Sequence, residues 1–140
     1  MTRPELVIAP QWEVDIVSEP GILKVRLHGR LTIEDMTAFV AAHNAAIDAL
    51  LGRDYKVFCD IREMLPLSPD CAELMAKAKA YSASHRNCRG SAVWVASALV
   101  SMQHARTSKQ SGVLSTELIS TDEAALRAHL ASVWREEPAK

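Results

Sequence analysis

The 140-residue chain is 49% hydrophobic and 24% charged, with a formal net charge of -1. That is the size of one ordinary domain, long enough to bury a real core without staples. With no basic excess and only 5% aromatic residues, it offers neither a nucleic-acid surface nor a base-stacking platform.

Cys59, Cys71 and Cys88 are odd in number and widely spaced, which suits reduced thiols rather than a disulfide framework. MTRPELVIAPQ has no long apolar signal-peptide region. No apolar run approaches the ~20 residues of a membrane helix. The expectation is a soluble, cytoplasmic protein with no integral membrane segment.

Residues 1–11 hold two prolines and no period, and are expected to be a loose arm. Trp12 to Ser18 alternates apolar and polar residues, as a half-buried strand does. Glu19-Pro-Gly is a turn signal, and Ile22 to His28 alternates again, with Val25 and Leu27 inward. These two strands form an antiparallel hairpin. Thr32 with Asp35 resembles a capping box and opens a helix carrying Ile33, Met36, Phe39 or Val40, His43, Ile47 and Leu50.

Tyr55 to Ile61 is compact, apolar and rich in strand formers, the pattern of a strand covered on both faces. Ser68-Pro69 starts a second helix, with Cys71, Leu74, Met75, Ala78 and Ser82 inward. Ser91 to Ser97 is a third internal strand. Leu99 to about Ser111 reads as a helix with a thin apolar stripe of Leu99, Met102 and Ala105. Leu114 to Ser120 is a final strand. Thr121-Asp-Glu-Ala begins a last helix burying Ala125, Leu126, His129, Leu130 and Val133.

The order β-β-α-β-α-β-α-β-α implies parallel pairing through right-handed crossovers. The predicted fold is α/β: a single mixed, mostly parallel sheet of about five strands with an N-terminal antiparallel hairpin and about four flanking helices. One domain spans 12–135, followed by a short tail over 136–140.

Few residues carry chemistry. Asp60 and Arg62 fall at the C-terminal end of a central strand, where ligands gather in open α/β sheets, and could form a small polar site with Ser68. Equally, Asp60 can cap its own loop and Arg62 can be solvated or ion-paired. Ser68 suits an N-cap. His85 and Cys88 have the spacing of one metal-ligand pair, but a structural zinc needs four ligands and a catalytic one three. No metal and no cofactor are expected. Cys59 reads as a core thiol, and Cys88 lies beside Arg86 and Arg89, which could lower a thiol pKa. His43 and His129 read as packed helix residues. Met102, His104 and Arg106 sit on a helix poor in apolar residues, which is either a lightly packed surface helix or a contact surface. No Gly-rich phosphate loop, nucleophile elbow or dinucleotide fingerprint occurs.

The element order, with ILKVRLHGRLT before the first helix and VFCDIREMLPLSPD before the second, resembles the STAS-like family of bacterial anti-sigma-factor antagonists. The likeness spans Trp12 to about Trp134 and includes Gly29-Arg30-Leu31-Thr32 and Ser120 to Ala125. A lipid-binding module of membrane-trafficking proteins is a looser relative. The resemblance implies a phosphorylatable switch at the start of the second helix, where Ser68 is the only hydroxyl within Leu67 to Asp70. The family's small residue and glycine after the switch are replaced here by Pro69 and Asp70.

The leading expectation is therefore a non-catalytic regulatory or protein-interaction module. It would dock a partner through Asp60, Arg62, Ser68, Asp70, Met102, His104 and Arg106, and could pair with itself as a homodimer. The alternative is a binder of a small apolar or lipid-like ligand, in a pocket of Met36, Phe39, Met64, Leu65, Met75 and Trp94. A third reading, an enzyme, would need Asp60, Arg62 and His85 to converge.

Overall fold

A computed structural model describes residues 6–84, 87–113 and 116–134. The elements run β1 (Leu6–Ile8), β2 (Trp12–Asp15), β3 (Ile22–Gly29), α1 (Ile33–Ala49), β4 (Tyr55–Met64), α2 (Pro69–Ser84), β5 (Cys88–Trp94), α3 (Ala98–Ser111), β6 (Glu117–Ser120) and α4 (Glu123–Trp134). The six strands form one sheet in sequence order. β1, β2 and β3 pair antiparallel; β3 to β6 pair parallel. This is the mixed α/β sheet with four helices that the sequence predicts.

One element differs. The expected loose arm contributes β1, which pairs with β2 through Val7 and Val14. Three residues bounded by Pro4 and Pro10 are too few to show an alternating pattern, so only the pairing reveals the strand. Leu114 and Ser115, expected in the last strand, lie outside the described residues, as do 1–5 and the tail over 136–140.

Because successive parallel strands step in one direction with right-handed crossovers, α1, α2 and α3 share one face of the sheet. Alternation sorts the side chains. Val57, Cys59 and Ile61 of β4 and Val93 of β5 face these helices and join Phe39, Met36, Met75 and Ala78 in the main core. Phe58 and Ala92 point to the other face, where Leu126 and Leu130 of α4 cover them. β4 is thus buried on both sides, as its apolar run requires.

Local chemistry fixes the helix starts. The Asp35 N–H donates to Thr32 Oγ1 and the Thr32 N–H to Asp35 Oδ2, both at 3.0 Å, completing the expected capping box. Ser97 caps α3 through the Val100 N–H at 3.3 Å. Gly112 ends α3 in the left-handed region at φ 85°. Among the described residues, no helix is long and apolar enough to cross a membrane.

Candidate functional site

The inner surface of α2 follows Cys71, Met75, Ala78 and Ser82, all buried. Lys79 lies one turn beyond Met75 on that surface, so its stem must enter the space under α3. α3 turns an unusual surface inward: Val100, His104, Thr107 and Ser108 are its buried residues. The expected stripe of Leu99, Met102 and Ala105 is not its packing face, since Leu99 is 60% and Met102 65% exposed. Short polar side chains on α3 fill less of the space above the sheet than apolar ones would.

A cavity of about 340 Å³ results, bounded by the sheet and α1 to α3. Phe39, Val57, Cys59, Met75 and Val93 form apolar wall; His43, Lys79, His104 and Glu117 supply polar groups. The exposed residues Ala83, Gly112 and Thr116 stand at its rim. This is within the size range of small-molecule sites.

Its floor is an ion pair. Lys79 Nζ lies 2.9 Å from Glu117 Oε2 and 3.2 Å from Oε1, with the side chains only 10% and 3% exposed. Glu117 also accepts hydrogen bonds from Ser108 Oγ and, at 3.2 Å, from Ser91 Oγ. Lys79 Nζ donates its remaining proton to Ser108. α2, α3, β5 and β6 therefore meet on one closed network. Burial pushes the Lys79 ammonium below its ordinary pKa of 10.5, and Glu117 opposes that shift.

The two histidines are unlike each other. His43 Nδ1 is 2.9 Å from Asn44 Oδ1, so in the neutral ring Nδ1 carries the hydrogen and Nε2 the lone pair. His104 is 3% exposed, and neither of its ring nitrogens has a hydrogen-bond partner among the described residues. Burial lowers both pKa values, that of His104 well below 6.5, and the nearby Lys79 charge adds to the effect. Burial also pushes the Cys59 thiol up to about 12, which makes it an inert wall group.

The sequence-predicted residues are dispersed by the fold. Ser68 is exposed and caps α2, accepting from the Cys71 N–H at 3.2 Å. Asp60 and Arg62 pair with each other, at 3.0 Å (Nε to Oδ1) and 2.8 Å (Nη2 to Oδ2). Arg62 also stacks 3.5 Å over the Trp94 ring. This pair lies on the α4 face of the sheet, whereas Ser68 begins a helix on the opposite face. Asp70 and Arg106 are exposed, and His104 points inward while Met102 points out. His85, and with it the His85–Cys88 pair and the Asp60–Arg62–His85 site, lies outside the described residues. Among the described residues, no three His, Cys, Asp or Glu side chains cluster as a metal would need.

Of the pocket residues expected from sequence, Phe39 and Met75 line the cavity. Met36 and Met64 are closed into the core, Leu65 is exposed, and Trp94 belongs to the other face. His129, expected to be buried, is only half-buried and reaches the Thr116 carbonyl at 3.2 Å. Sequence reasoning missed Lys79, Glu117, Ser91 and Ser108. The available signals were a lysine at i+4 from Met75 and a polar i, i+3, i+4 pattern of His104, Thr107 and Ser108.

No protein-family model matches the chain, and no curated protein matches it.

Two outcomes follow from the burial of these charges. Lys79→Met strands the Glu117 carboxylate and is expected to cost about 3–5 kcal/mol in urea unfolding. The double variant Lys79→Met/Glu117→Leu should recover most of that loss, because a buried pair replaced by apolar groups is often neutral. Both histidines are neutral in the fold and can gain a proton when unfolded, so the unfolded chain binds more protons below pH 6.5. Stability should be constant in these two groups above pH 6.5 and fall below it, by at most about 1.4 kcal/mol per pH unit for each ring. His104→Leu should flatten that slope between about pH 6.5 and 5, measured by denaturant midpoints.

Proposed function

We propose that this protein is a non-catalytic, STAS-like module that binds a small, mostly apolar molecule between its helices and its sheet. The observation that carries the reading is the cavity of about 340 Å³ with an unpartnered His104 in its wall. The ring nitrogens of His104 make no hydrogen bond to the described residues and are not among the polar atoms sealed from solvent, so they open into the cavity, where a ligand group can bond them. The charged groups at the floor are spent on one another, which suits binding rather than acid–base chemistry.

A second reading is protein docking at the start of α2 and the outer face of α3, by a partner or by a second copy of the chain. It is favoured by one feature. Gln103 brackets the loop before α2, donating to the Leu67 carbonyl at 2.7 Å and accepting from the Leu67 N–H at 2.8 Å. The neighbouring side chains Leu65, Leu99 and Met102 are exposed apolar groups. In that reading Ser68 is both cap and edge of the docking surface.

Toluene tests the ligand reading without knowledge of the natural ligand. At ten times its dissociation constant it should raise the melting temperature of the wild type by about 4 °C. Ala78→Leu places extra bulk in the cavity wall and should abolish that shift. An equal shift in both proteins, or none in the wild type, contradicts the reading.

A further inference from the structure

The groups around the cavity also say what kind of molecule it takes, an inference that rests on the ligand-binding reading above. The ion pair is saturated. Three bonds from Lys79 Nζ go to Ser108 Oγ and the two Glu117 oxygens, which leaves no free ammonium proton. Its charges cancel at a separation of 2.9 Å, so the floor has no net charge to offer. An incoming anion would enter without a counter-ion, and an incoming cation would meet the Lys79 ammonium. Either would forfeit its hydration, at a penalty that is large for any unpaired ion.

The unspent capacity is that of neutral rings. His104 holds one N–H donor and one lone pair, both without a partner among the described residues. His43 has its donor committed to Asn44, which leaves the Nε2 lone pair. Such rings match a group that can both give and accept a hydrogen bond. The remaining wall is mostly apolar, with Phe39 its one aromatic ring beside Val57 and Met75, and its hydroxyls are engaged within the protein: Ser82 with Tyr55, Ser91 with Glu117 and Thr116 with the Val113 carbonyl. The volume equals the share of about eleven waters at ~30 Å³ each, room for a ring system of one or two rings.

We propose that the cavity takes an uncharged, hydroxyl-bearing cyclic molecule, its hydroxyl bonded to His104 and its body against Phe39, Met75 and Val57. His104 is then the residue that sets specificity between an alcohol and the corresponding hydrocarbon. An unmet bond to a buried polar group is the stronger form of discrimination, because the hydrocarbon leaves the imidazole unpaired.

The test compares naphthalene, 2-naphthol and 2-naphthoate binding to the full chain at pH 7, with dissociation constants from NMR titration. 2-Naphthol should bind about tenfold tighter than naphthalene, the scale of one well-made hydrogen bond. 2-Naphthoate should bind weakest of the three. His104→Leu should erase the gap between naphthol and naphthalene, and His104→Gln, which keeps a donor and an acceptor, should restore part of it. If His104→Leu does not fold, the wild-type ranking and His104→Gln decide. Equal binding of naphthol and naphthalene, or tightest binding of naphthoate, overturns the assigned ligand class while toluene binding still upholds the cavity. Failure of all three probes and of toluene overturns both.

Discussion

Lys79 and Glu117 bring opposite charges into the interior, where neither is tolerated without the other. Four elements depend on their meeting. Lys79 comes from α2 and Glu117 from β6, while Ser108 of α3 and Ser91 of β5 complete the set. A pair of this kind contributes less to net stability than to uniqueness, since apolar substitutes could replace it; that it fixes where α3 sits is our hypothesis for this fold. With α3 held by polar contacts rather than by large apolar side chains, the space beneath it is left as a cavity. The same pair, neutral as a unit but with its ammonium near both histidines, helps keep those rings uncharged.

The two faces of the sheet divide the chemistry. On the α1–α3 face, the cavity gathers polar groups deep inside. On the other face α4 covers Phe58 and Ala92, and the part near β2 and β3 carries Glu13, Lys24 and Arg26 beside Asp60. Those charges pair among themselves: Arg26 lies 3.5 Å from Glu13 and 3.2 Å from Glu63, and Asp60 holds Arg62. The C-terminal edge of β4, attractive as a site in the linear sequence, is a set of satisfied surface ion pairs. Such pairs are worth little energetically and leave nothing over for a ligand.

Much of the architecture was legible because local signals agreed with the global fold. Thr32 and Asp35 cap α1 as their spacing predicts, Ser68 caps α2, and the alternation in Ile22 to His28 gives the correct inward side chains. β1 was not legible, because a three-residue edge strand has no period. The site was hidden for a different reason. A polar residue on a helix reads as outward-facing, so His104, Thr107 and Ser108 suggested a thinly packed surface helix. Only the position of Glu117, which shares with Ile119 the face of β6 turned to the helices, explains why those residues turn inward. That relation joins positions far apart in the chain, and no local window contains it.

Methionine methyl groups report directly on the central claim that the cavity is the place where ligand binds. Met75 lines it, Met36 and Met64 are closed into the core, and Met102 stands on the outer face of α3. With ¹³C-methyl methionine incorporated, a titration with 2-naphthol should shift the Met75 resonance in saturable fashion and leave Met102 in place. A saturable shift at Met102 with Met75 unmoved would contradict the account, and would turn attention to the outer surface of α3 as the binding face.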